Sequence, residues 1–407
     1  MNIWIFNHYA IGPNSSGGTR HYDLSKQLVR LGHNVTIFAS SFNHQTFQEE
    51  HIFDNKVKFV SDTSEGVRFF WIKSTSYKQN NYKRVLNMLS YSFRAHKIAK
   101  KIDEKPDVVV GSLVHPFAAY VGYLVAKHYG CKFYFEERDL WPQTLIDLGK
   151  IPVNHPSVKL LRRLERFLYQ KADKIIVLFD KAIDYVEQQG IDRNKVICIP
   201  NGADLERYES KSSTNVFKEQ FNLFNELKGK FIAVYTGAHG LANNLDSVLD
   251  AAILLKENKN IHFLLIGDGP EKLRLMERAK SERIDNVTFL NPISKEEIPY
   301  ILKNVNVGLL PLKNSVVFKW GISPNKMFDY MAASLPVIVL CDLEDTPIEK
   351  ANGGFVIKGD FSSELAKKIK SLYQNENLCV NMGENGYDYL VKYHSWEKLA
   401  KDIDNIL

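Results

Sequence analysis

Residues 323–340 read Ser-Pro-Asn-Lys-Met-Phe-Asp-Tyr-Met-Ala-Ala-Ser-Leu-Pro-Val-Ile-Val-Leu, which predicts a capped helix followed by a buried strand. Ser323 suits the N-cap, and Pro324 suits the first helical position, where a missing N–H costs little. Lys326 then falls in the first turn, and Asp329 follows one turn later on the same face. A helix N-terminus beside a lysine attracts phosphate, and a carboxylate one turn further can accept hydrogen bonds from sugar hydroxyls. The stretch therefore predicts a nucleotide-diphosphate site, although a surface helix with a Lys–Asp pair would show the same pattern.

The region before this stretch alternates apolar strands with helices. Predicted strands at 231–237 and 261–267 both end in glycine and lead into loops that open helices. Further strands are predicted at 287–290, 305–310 and 337–340. Ligands of parallel sheets bind at the carboxyl ends of the strands, so this half predicts a doubly wound sheet with a site at its glycine-rich loops.

The first half of the chain shows the same alternation. A strand at 3–6, a glycine-containing loop at 7–19, a helix at 20–31 and a strand at 35–39 predict a parallel β/α/β unit. The loop lacks the GxGxxG fingerprint of dinucleotide sites. Its Gly17-Gly18 pair would still let the backbone approach a phosphate or a sugar, with a flexible turn as the alternative. The run Val67–Ile72 predicts an edge strand.

A chain of 407 residues with two such patterns predicts two domains. We expect a first domain at 1–204 and a second at 205–394. The polar segment 205–229 marks the junction. The last helix, 395–407, has no strand partner and is expected to pack back on the first domain.

Composition excludes several classes of protein. The 44% hydrophobic and 25% charged residues are ordinary for a soluble globular protein. The four cysteines are far apart and form no CxxC pair, which argues against a disulfide framework or a zinc site and fits a reducing cytosol. The N-terminus lacks the basic region of a signal peptide, and no apolar run approaches the length of a membrane span, which is about 20 residues. The chain is predicted to be cytoplasmic or peripheral to a membrane.

Positive charge is concentrated in the first half. Residues 1–200 contain 28 Lys and Arg against 19 Asp and Glu. Within them, 73–101 is both basic and aromatic, and 157–170 is a second basic helix with an apolar face. Such segments can bind an anionic membrane surface. A basic helix packed on the sheet is the alternative for 73–101, and single-stranded nucleic acid is a weaker third interpretation.

Polar side chains follow two further strands of the first half. His115 comes after the strand at 106–112, and Glu136-Glu137-Arg138-Asp139 continues directly from the strand at 133–135. In a parallel sheet, both would lie at the edge that faces the ligand. Three carboxylates beside one arginine favour a functional cluster over a surface ion-pair cluster.

Several short motifs occur in a fixed order along the chain. They are Gly17-Gly18, the helix end at 31–35, Pro-Asn-Gly-Ala-Asp at 200–204, Tyr-Thr-Gly at 235–237, Ile-Gly-Asp-Gly-Pro at 266–270 and the Ser-Pro-Asn-Lys run from 323. This ordered set resembles the family 4 GT-B glycosyltransferases over essentially the whole chain. The block Glu-Arg-Asp-Leu-Trp-Pro at 137–142 is similar to a subgroup that builds bacterial surface polysaccharides such as capsule and O-antigen, some of whose members act on amino-deoxysugars.

The resemblance implies a GT-B fold, with two Rossmann-like domains facing a central cleft, and a retaining hexosyltransferase-type reaction. A nucleotide-diphosphate sugar, with UDP favoured by the subgroup, would sit on the second domain. A polyprenyl-diphosphate-linked saccharide acceptor would sit mostly on the first. The enzyme would then work at the cytoplasmic face of a bacterial membrane.

The resemblance and the motifs together nominate the site residues. Asp329 matches the acid that binds the ribose hydroxyls. The expected donor-binding residues are Gly17, Gly18, Gly237, His239, Gly267, Asp268, Gly269, Ser323, Pro324, Asn325, Lys326 and Asp329. His115, Glu137, Asp139 and Lys326 are the expected catalytic residues, and Arg20 and Arg138 are expected to bind the acceptor.

The sequence departs from the family pattern at two places. Gly321 stands where family members carry the first of two acidic residues, and the loop at 237–244 lacks their Arg and Lys. Lys326 with the helix start is therefore expected to neutralise the diphosphate, with Lys319 a weaker candidate. No Asp-x-Asp occurs at a plausible metal position, so we expect metal independence. Activity lost with EDTA and restored by manganese would contradict that expectation.

Other functions stay open from the sequence. A sugar-nucleotide epimerase could use the same scaffold, and an inactive sugar-nucleotide-binding partner fits the missing acid. A phosphorylase would need a lysine for pyridoxal phosphate, which we cannot identify. A two-lobed solute-binding protein would need an export signal.

Overall fold

The structure, a computed structural model, describes residues 1–13, 17–44, 46–54, 56–79, 81–113, 115–147, 149, 151–209 and 218–407. The strands of the first part are β1 (Asn2–Phe6), β2 (Asn34–Ser40), β3 (Phe42–Asn43), β4 (Gln48–Glu49), β5 (Phe59–Ser64), β6 (Val67–Ile72), β7 (Val108–Leu113), β8 (Lys132–Glu137), β9 (Lys174–Val177) and β10 (Val196–Cys198). Its helices are α1 (Arg20–Arg30), α2 (Tyr82–Ala99), α3 (Pro116–Tyr129), α4 (Gln143–Asp147), α5 (Pro156–Lys171), α6 (Lys181–Gln188) and α7 (Glu206–Glu209).

The strands of the second part are β11 (Phe231–Thr236), β12 (Ile261–Ile266), β13 (Val287–Leu290), β14 (Val307–Pro311), β15 (Val337–Leu340) and β16 (Gly354–Ile357). Its helices are α8 (Lys218–Glu226), α9 (Leu245–Leu254), α10 (Lys272–Ser281), α11 (Ile298–Leu302), α12 (Asn325–Ala332), α13 (Pro347–Ala351), α14 (Phe361–Gln374), α15 (Glu376–Tyr393) and α16 (Trp396–Asp404). Short 3-10 helices cover Arg193–Lys195 and Val316–Trp320. None of the helices in the described ranges is long and apolar enough to cross a bilayer.

The first sheet has the strand order β10-β9-β8-β7-β1-β2-β6-β5 and is parallel except for β5. β1 lies at its centre, with Ile5 opposite Ile37 on one side and Val110 on the other. Trp4 and Phe6 are buried on one face and Ile3 and Ile5 on the other, which explains why β1 is apolar throughout. The prediction that Val67–Ile72 forms the edge is wrong, because β5 pairs antiparallel along its outer side.

The second sheet has six parallel strands in the order β13-β12-β11-β14-β15-β16. Helices cover both of its faces, and the two cores share the apolar strands β11, β12, β14 and β15. The predicted pair of doubly wound sheets is confirmed. β16 was not predicted, because it has only four residues and begins with a glycine, which gives a weak strand signal. Its first three residues are partly buried and only Ile357 is fully buried.

The chain crosses between the two sheets twice, and the crossings lie side by side. Ala203 N donates to the His394 carbonyl at 3.1 Å, and Trp396 N donates to the Ala203 carbonyl at 3.2 Å. After the second crossing, α16 packs on α1, with Trp396 buried in the core of the first sheet. Residues 14–16 of the glycine-containing loop and 210–217 of the expected junction lie outside the described residues. The boundary between 204 and 205 stays a prediction.

Candidate active site

The start of α12 differs from the sequence prediction by one residue. Asn325 is the first helical residue, and Pro324 takes the cap position with an extended backbone (φ −76°, ψ 134°). Ser323 does not cap the helix, because its Oγ accepts a hydrogen bond from the Asn201 N–H at 2.8 Å and its carbonyl accepts one from Asn201 Nδ2. The prediction of Ser323 as N-cap is therefore wrong. No described side chain caps α12, so its first N–H groups remain able to bind a ligand.

Lys326 is a cation without a counter-ion in the part of the chain that the structure describes. Its Nζ lies 3.9 Å from the centre of the Tyr235 ring and makes no hydrogen bond or salt bridge there. The Lys326–Asp329 pair of the alternative surface-helix interpretation does not form, since the Asp329 carboxylate binds Lys295 instead. Enclosure by protein atoms lowers the pKa of Lys326 to about 7. A half-buried ammonium without a counter-ion favours an anionic ligand.

Two glycine loops leave room around this ammonium. Gly237 has φ 133°, and a Cβ placed there would lie 2.7 Å from Lys326 Nζ. Gly267 and Gly269 also have positive φ, and a Cβ on either would collide with the 237–239 backbone. Because only glycine fits these positions, the two loops can pack together and still expose backbone to a ligand. Gly237 thus lies beside Lys326, and Gly267 and Gly269 lie against the 237–239 loop; we call these three glycines around Lys326 the glycine cradle.

The glycine pair of the first domain reaches the same place. A Cβ on Gly18 would collide with the Asn325 side chain at the start of α12. Gly17 has φ 121°, which favours glycine at the turn. The structure therefore brings Gly18 against Asn325 across the cleft, with Gly17 next to it in the chain.

His239 is fully buried, yet neither of its ring nitrogens has a hydrogen-bond partner among the described residues. Burial, reinforced by the charge of Lys272, lowers its pKa to about 4, so the ring is neutral. A neutral imidazole has one donor and one acceptor, and leaving both unmade is costly. Asp268 has a different role: its Oδ1 accepts from the Gly269 N–H at 2.8 Å and shapes the loop. A bound ligand could therefore supply the hydrogen-bond partners that the two ring nitrogens of His239 lack.

Asp329 is buried and already bonded. Its carboxylate accepts from Lys295 Nζ at 2.6 and 2.5 Å and from the Tyr208 hydroxyl at 3.1 Å. Neither partner was predicted. Lys295 lies in the loop after β13, so the carboxyl-end rule that nominated other residues would have nominated it. The Lys295–Asp329 pair fixes the position of the carboxylate beside α12.

Glu136 organises the interior of the first domain. It accepts from Arg20 Nε at 2.9 Å, from His21 Nε2 at 2.6 Å and from Ser112 Oγ at 2.6 Å. Burial would raise its pKa, but His21 and Arg20 outweigh that effect and hold the pKa well below its usual range. Glu136 is therefore a buried carboxylate with no free face toward a ligand.

Arg20 is part of the same interior. It is 1% exposed, and its remaining hydrogen bonds go to the Ile199 carbonyl at 2.8 Å, the Pro200 carbonyl at 2.6 Å and Asn201 Oδ1 at 3.3 Å. The structure does not place Arg20 where an acceptor could bind, because its donors hold the first crossing of the chain. This corrects the expectation of an acceptor contact.

Glu137 also points away from the cleft. It is 1% exposed, and its carboxyl accepts a hydrogen bond from the Tyr169 hydroxyl of α5. Burial, together with the nearby Glu165, raises its pKa well above the usual range and so favours the protonated form. The expected catalytic role of Glu137 is not supported by this placement.

His115 caps α3. Its Nδ1 accepts from the Ala118 N–H at 3.3 Å, and its Nε2 lies 2.6 Å from His8 Nδ1. Burial lowers the pKa of His115 to about 3. Both nitrogens are used and the ring is neutral, so His115 is not placed to take a proton from a substrate. His8 was missed, although it follows β1 in the same way that His115 follows β7.

Arg138 and Asp139 do face the cleft. They line a cavity of about 250 Å³ between the two sheets, opposite Gly321, Ser323 and Pro324. Asp139 is exposed to solvent within the cavity, and the surrounding protein raises its pKa, an effect that Arg138 partly offsets. Of the acidic block, only this aspartate is placed to meet a substrate hydroxyl.

The position that should carry an acid is closed to any side chain. Gly321 has φ 115°, and a Cβ there would lie 2.9 Å from Phe179 Cβ. Lys319 is exposed, with Nζ 4.8 Å from the Trp320 ring centre, and lies outside the glycine cradle. No cluster of three His, Cys, Asp or Glu side chains suited to a metal occurs within the ranges that the structure describes.

Two family models match the chain in succession. The model for Glycosyltransferase Family 4 matches residues 17–207, and the model for Glycosyl transferases group 1 matches residues 216–389. The chain belongs to the family 4 GT-B glycosyltransferases. It is thus a glycosyltransferase enzyme, and the resemblance seen in the sequence is confirmed.

Named relatives of this glycosyltransferase are distant. It is 24% identical to the probable glycosyltransferase WbjE of Pseudomonas aeruginosa, over 65% of this chain and 66% of that protein. It is 21% identical to the putative colanic acid biosynthesis glycosyl transferase WcaI of Escherichia coli, over 79% and 78%. An uncharacterized glycosyltransferase of Methanocaldococcus jannaschii, MJ1178, is 23% identical over 87% and 92%.

Solved structures share the fold of this glycosyltransferase along its whole length. Sucrose-phosphate synthase from Thermosynechococcus elongatus superimposes with a TM-score of 0.73 at 16% identity, covering 100% of this chain and 98% of that one. HepE of Anabaena in complex with UDP has a TM-score of 0.66 at 15% identity, covering 100% and 99%. The GT-B fold is therefore confirmed.

Proposed function

We propose that this glycosyltransferase moves a sugar, with retention of configuration, from a nucleotide-diphosphate donor to a lipid-linked saccharide during surface-polysaccharide synthesis. The observation that carries the proposal is the glycine cradle around Lys326. A cation without a counter-ion, uncapped helix N–H groups and an unsatisfied buried His239 meet there. These are the groups that a diphosphate and its sugar would satisfy.

The cradle also explains how cleavage would be assisted. Breaking the sugar–phosphate bond places negative charge on the leaving diphosphate, and Lys326 with the N–H groups of α12 is arranged to stabilise it. Retention without a protein nucleophile would need the acceptor to attack from the face of the leaving group. Asp139 lines the cavity, and we assign it the role of accepting the acceptor's proton.

The names of relatives support the substrate class. WcaI is named for colanic acid biosynthesis, and the HepE structures contain UDP or UDP-glucose. On this support we infer a UDP-sugar donor, an N-acetylated amino- or deoxy-sugar among the candidates, and a saccharide acceptor on a polyprenyl diphosphate. We also infer metal independence.

A second candidate is an inactive sugar-nucleotide-binding partner. The closed position at Gly321 favours it, because no acid can contact the donor sugar from there. An epimerase is distinguished by its product, since it would convert the donor without an acceptor.

The deciding experiment incubates the full chain with a panel of UDP- and GDP-sugars, with and without EDTA. Slow donor hydrolysis without acceptor supports the transferase, an isomerised sugar supports the epimerase, and binding without turnover even with acceptor supports the inactive partner. Lys326→Gln should abolish turnover. Lys303→Gln, an exposed lysine of the same domain, should not. Equal activity of the two variants would remove Lys326 from the site.

We further propose that α2 holds the enzyme at the cytoplasmic face of a bacterial membrane. One face of α2 packs on the sheet through Met88, Tyr91 and Ala95. The opposite face exposes large apolar side chains: Tyr82 (68%), Leu86 (47%), Leu89 (45%) and Phe93 (62%). Apolar groups flanked by Lys78, Lys83 and Lys97 suit an anionic interface.

Flotation with anionic liposomes tests this orientation. The double change Leu86→Ala with Phe93→Ala should reduce the bound fraction severalfold. Leu273→Ala, which removes a 74% exposed leucine from the second domain, should leave it unchanged. Equal binding of all three proteins would exclude α2 as the membrane surface.

A further inference from the structure

Arg138 is the basic residue of the cavity between the two domains. It lines this cavity of about 250 Å³, and its Nε–H is buried with no hydrogen-bond acceptor among the described residues. Its guanidinium forms no salt bridge with any described carboxylate. A buried arginine donor without an acceptor is costly, so the arrangement points to a missing partner.

In the folded domain, the neighbouring carboxylates do not accept a hydrogen bond from Arg138 Nε. Glu136 is held by Arg20, His21 and Ser112, and Glu137 bonds to Tyr169 in the interior. Asp139 shares the cavity wall, but its carboxylate forms no salt bridge with Arg138. Three carboxylates adjacent in sequence thus leave this guanidinium open to the cavity.

The opposite wall offers no compensating charge. Its residues, Leu312, Phe318 and 321–324, are all uncharged, and a side chain at position 321 is excluded by the contact with Phe179. The family's acid is absent at this point, so the local charge of the cavity differs from that of a typical member. The donor diphosphate would have its own cation, Lys326, in the glycine cradle.

We propose that Arg138 binds an oxyanion, a phosphate or a carboxylate group, carried by the acceptor saccharide. This proposal rests on the proposed glycosyltransferase function and names the chemical class of its second substrate. The planar guanidinium can form paired hydrogen bonds to either group. Asp139, in the same wall, is then placed to accept from a hydroxyl of the same saccharide. An acceptor with a phosphate near its sugar and an acceptor with an acidic sugar both satisfy this chemistry.

The test uses the full chain saturated with UDP, so that the donor site is filled. Calorimetric titrations with pyrophosphate and with glucuronate then measure binding to the remaining site. We expect one of these anions to bind, and Arg138→Gln to weaken that binding at least tenfold. Arg138→Lys, which keeps the charge, should recover part of it. Arg163→Gln removes an exposed arginine of α5 and should have no effect.

The anion that binds identifies the source: pyrophosphate indicates a phosphorylated acceptor, and glucuronate indicates an acidic sugar. Unchanged binding in Arg138→Gln, or binding of neither anion to the UDP complex, overturns the proposal. Failure of both UDP and GDP to bind overturns the proposed function instead. Titration of the nucleotide-free protein still tests Arg138 in that case, and thermal melting of each variant reports whether it is folded.

Discussion

Lys326 shows how a single residue sets the properties of the donor site. Its ammonium has no counter-ion in the described structure, and its pKa is lowered to about 7. Donor binding favours the protonated form, so above that pH binding of the donor should be accompanied by uptake of a proton. Lys326 is therefore mostly charged below about pH 7 and becomes increasingly neutral above it.

We therefore expect the dissociation constant of a UDP-sugar to be flat below about pH 7 and to increase about tenfold per pH unit above it. The diphosphate of a UDP-sugar does not titrate in this range, so it does not obscure the effect. Calorimetry at a series of pH values measures the dependence. In Lys326→Arg the dependence should disappear, because arginine stays charged. A pH-independent constant in the unmodified enzyme would contradict the assignment.

Glu137 gives a second prediction at the same scale. Its pKa is raised in the folded state, so folding favours proton uptake at pH values between the ordinary glutamate pKa and the raised one. The free energy of unfolding should therefore fall as the pH rises from the ordinary glutamate range toward the raised pKa of the folded state. Glu137→Gln, which mimics the neutral acid, should show a weaker pH dependence and keep its activity, and Glu165, whose pKa is also raised, should account for part of the dependence that remains. Denaturant unfolding at several pH values tests this, and a large loss of turnover would restore Glu137 as a catalytic candidate.

At the scale of elements, the first crossing of the chain is bonded to the start of α12. Asn201 donates from its backbone N–H to Ser323 Oγ and from its side chain to the Ser323 carbonyl, while its Oδ1 accepts from Arg20. The crossing therefore sets the position of the helix end that faces the donor. It also links that helix end to the Glu136 network of the first domain.

Asn201→Ala should raise the donor KM about tenfold, because loss of about 1–2 kcal/mol of hydrogen bonding lets the start of α12 move. The kcat should change less if chemistry is otherwise intact. Steady-state kinetics with a UDP-sugar separate the two constants. Asn194→Ala, an exposed asparagine of the same domain, is the control. Equal KM values in the two variants would show that the crossing does not position the helix.

At the scale of the whole molecule, the C-terminal helix joins the two domains. After leaving the second domain, α16 places Trp396 at 3% exposure in the core beside α1 and Arg20. The stability of the first domain should thus depend on the last residues of the chain.

Trp396→Ala should lower the stability of the folded protein by about 3–5 kcal/mol, as expected for a large buried aromatic residue. Thermal unfolding followed by fluorescence and circular dichroism measures the change. Val391→Ala, a 41% exposed position just before the crossing, should have little effect. A melting temperature unchanged by Trp396→Ala would mean that α16 is not part of the core.

The sequence by itself determined the two doubly wound sheets and the glycine loops, because apolar periodicity and glycine positions are local signals. It also placed Lys326 beside those loops, since both follow strands of one parallel sheet. Only the tertiary structure decided which polar residues face the cleft. Arg20, Glu137 and His115 are residue types that commonly bind ligands. In this fold they instead form interior contacts with residues distant in sequence: Ile199, Tyr169 and His8, respectively. Hydrogen bonds between residues distant in sequence leave no local pattern, so the open guanidinium of Arg138 became visible only in the fold.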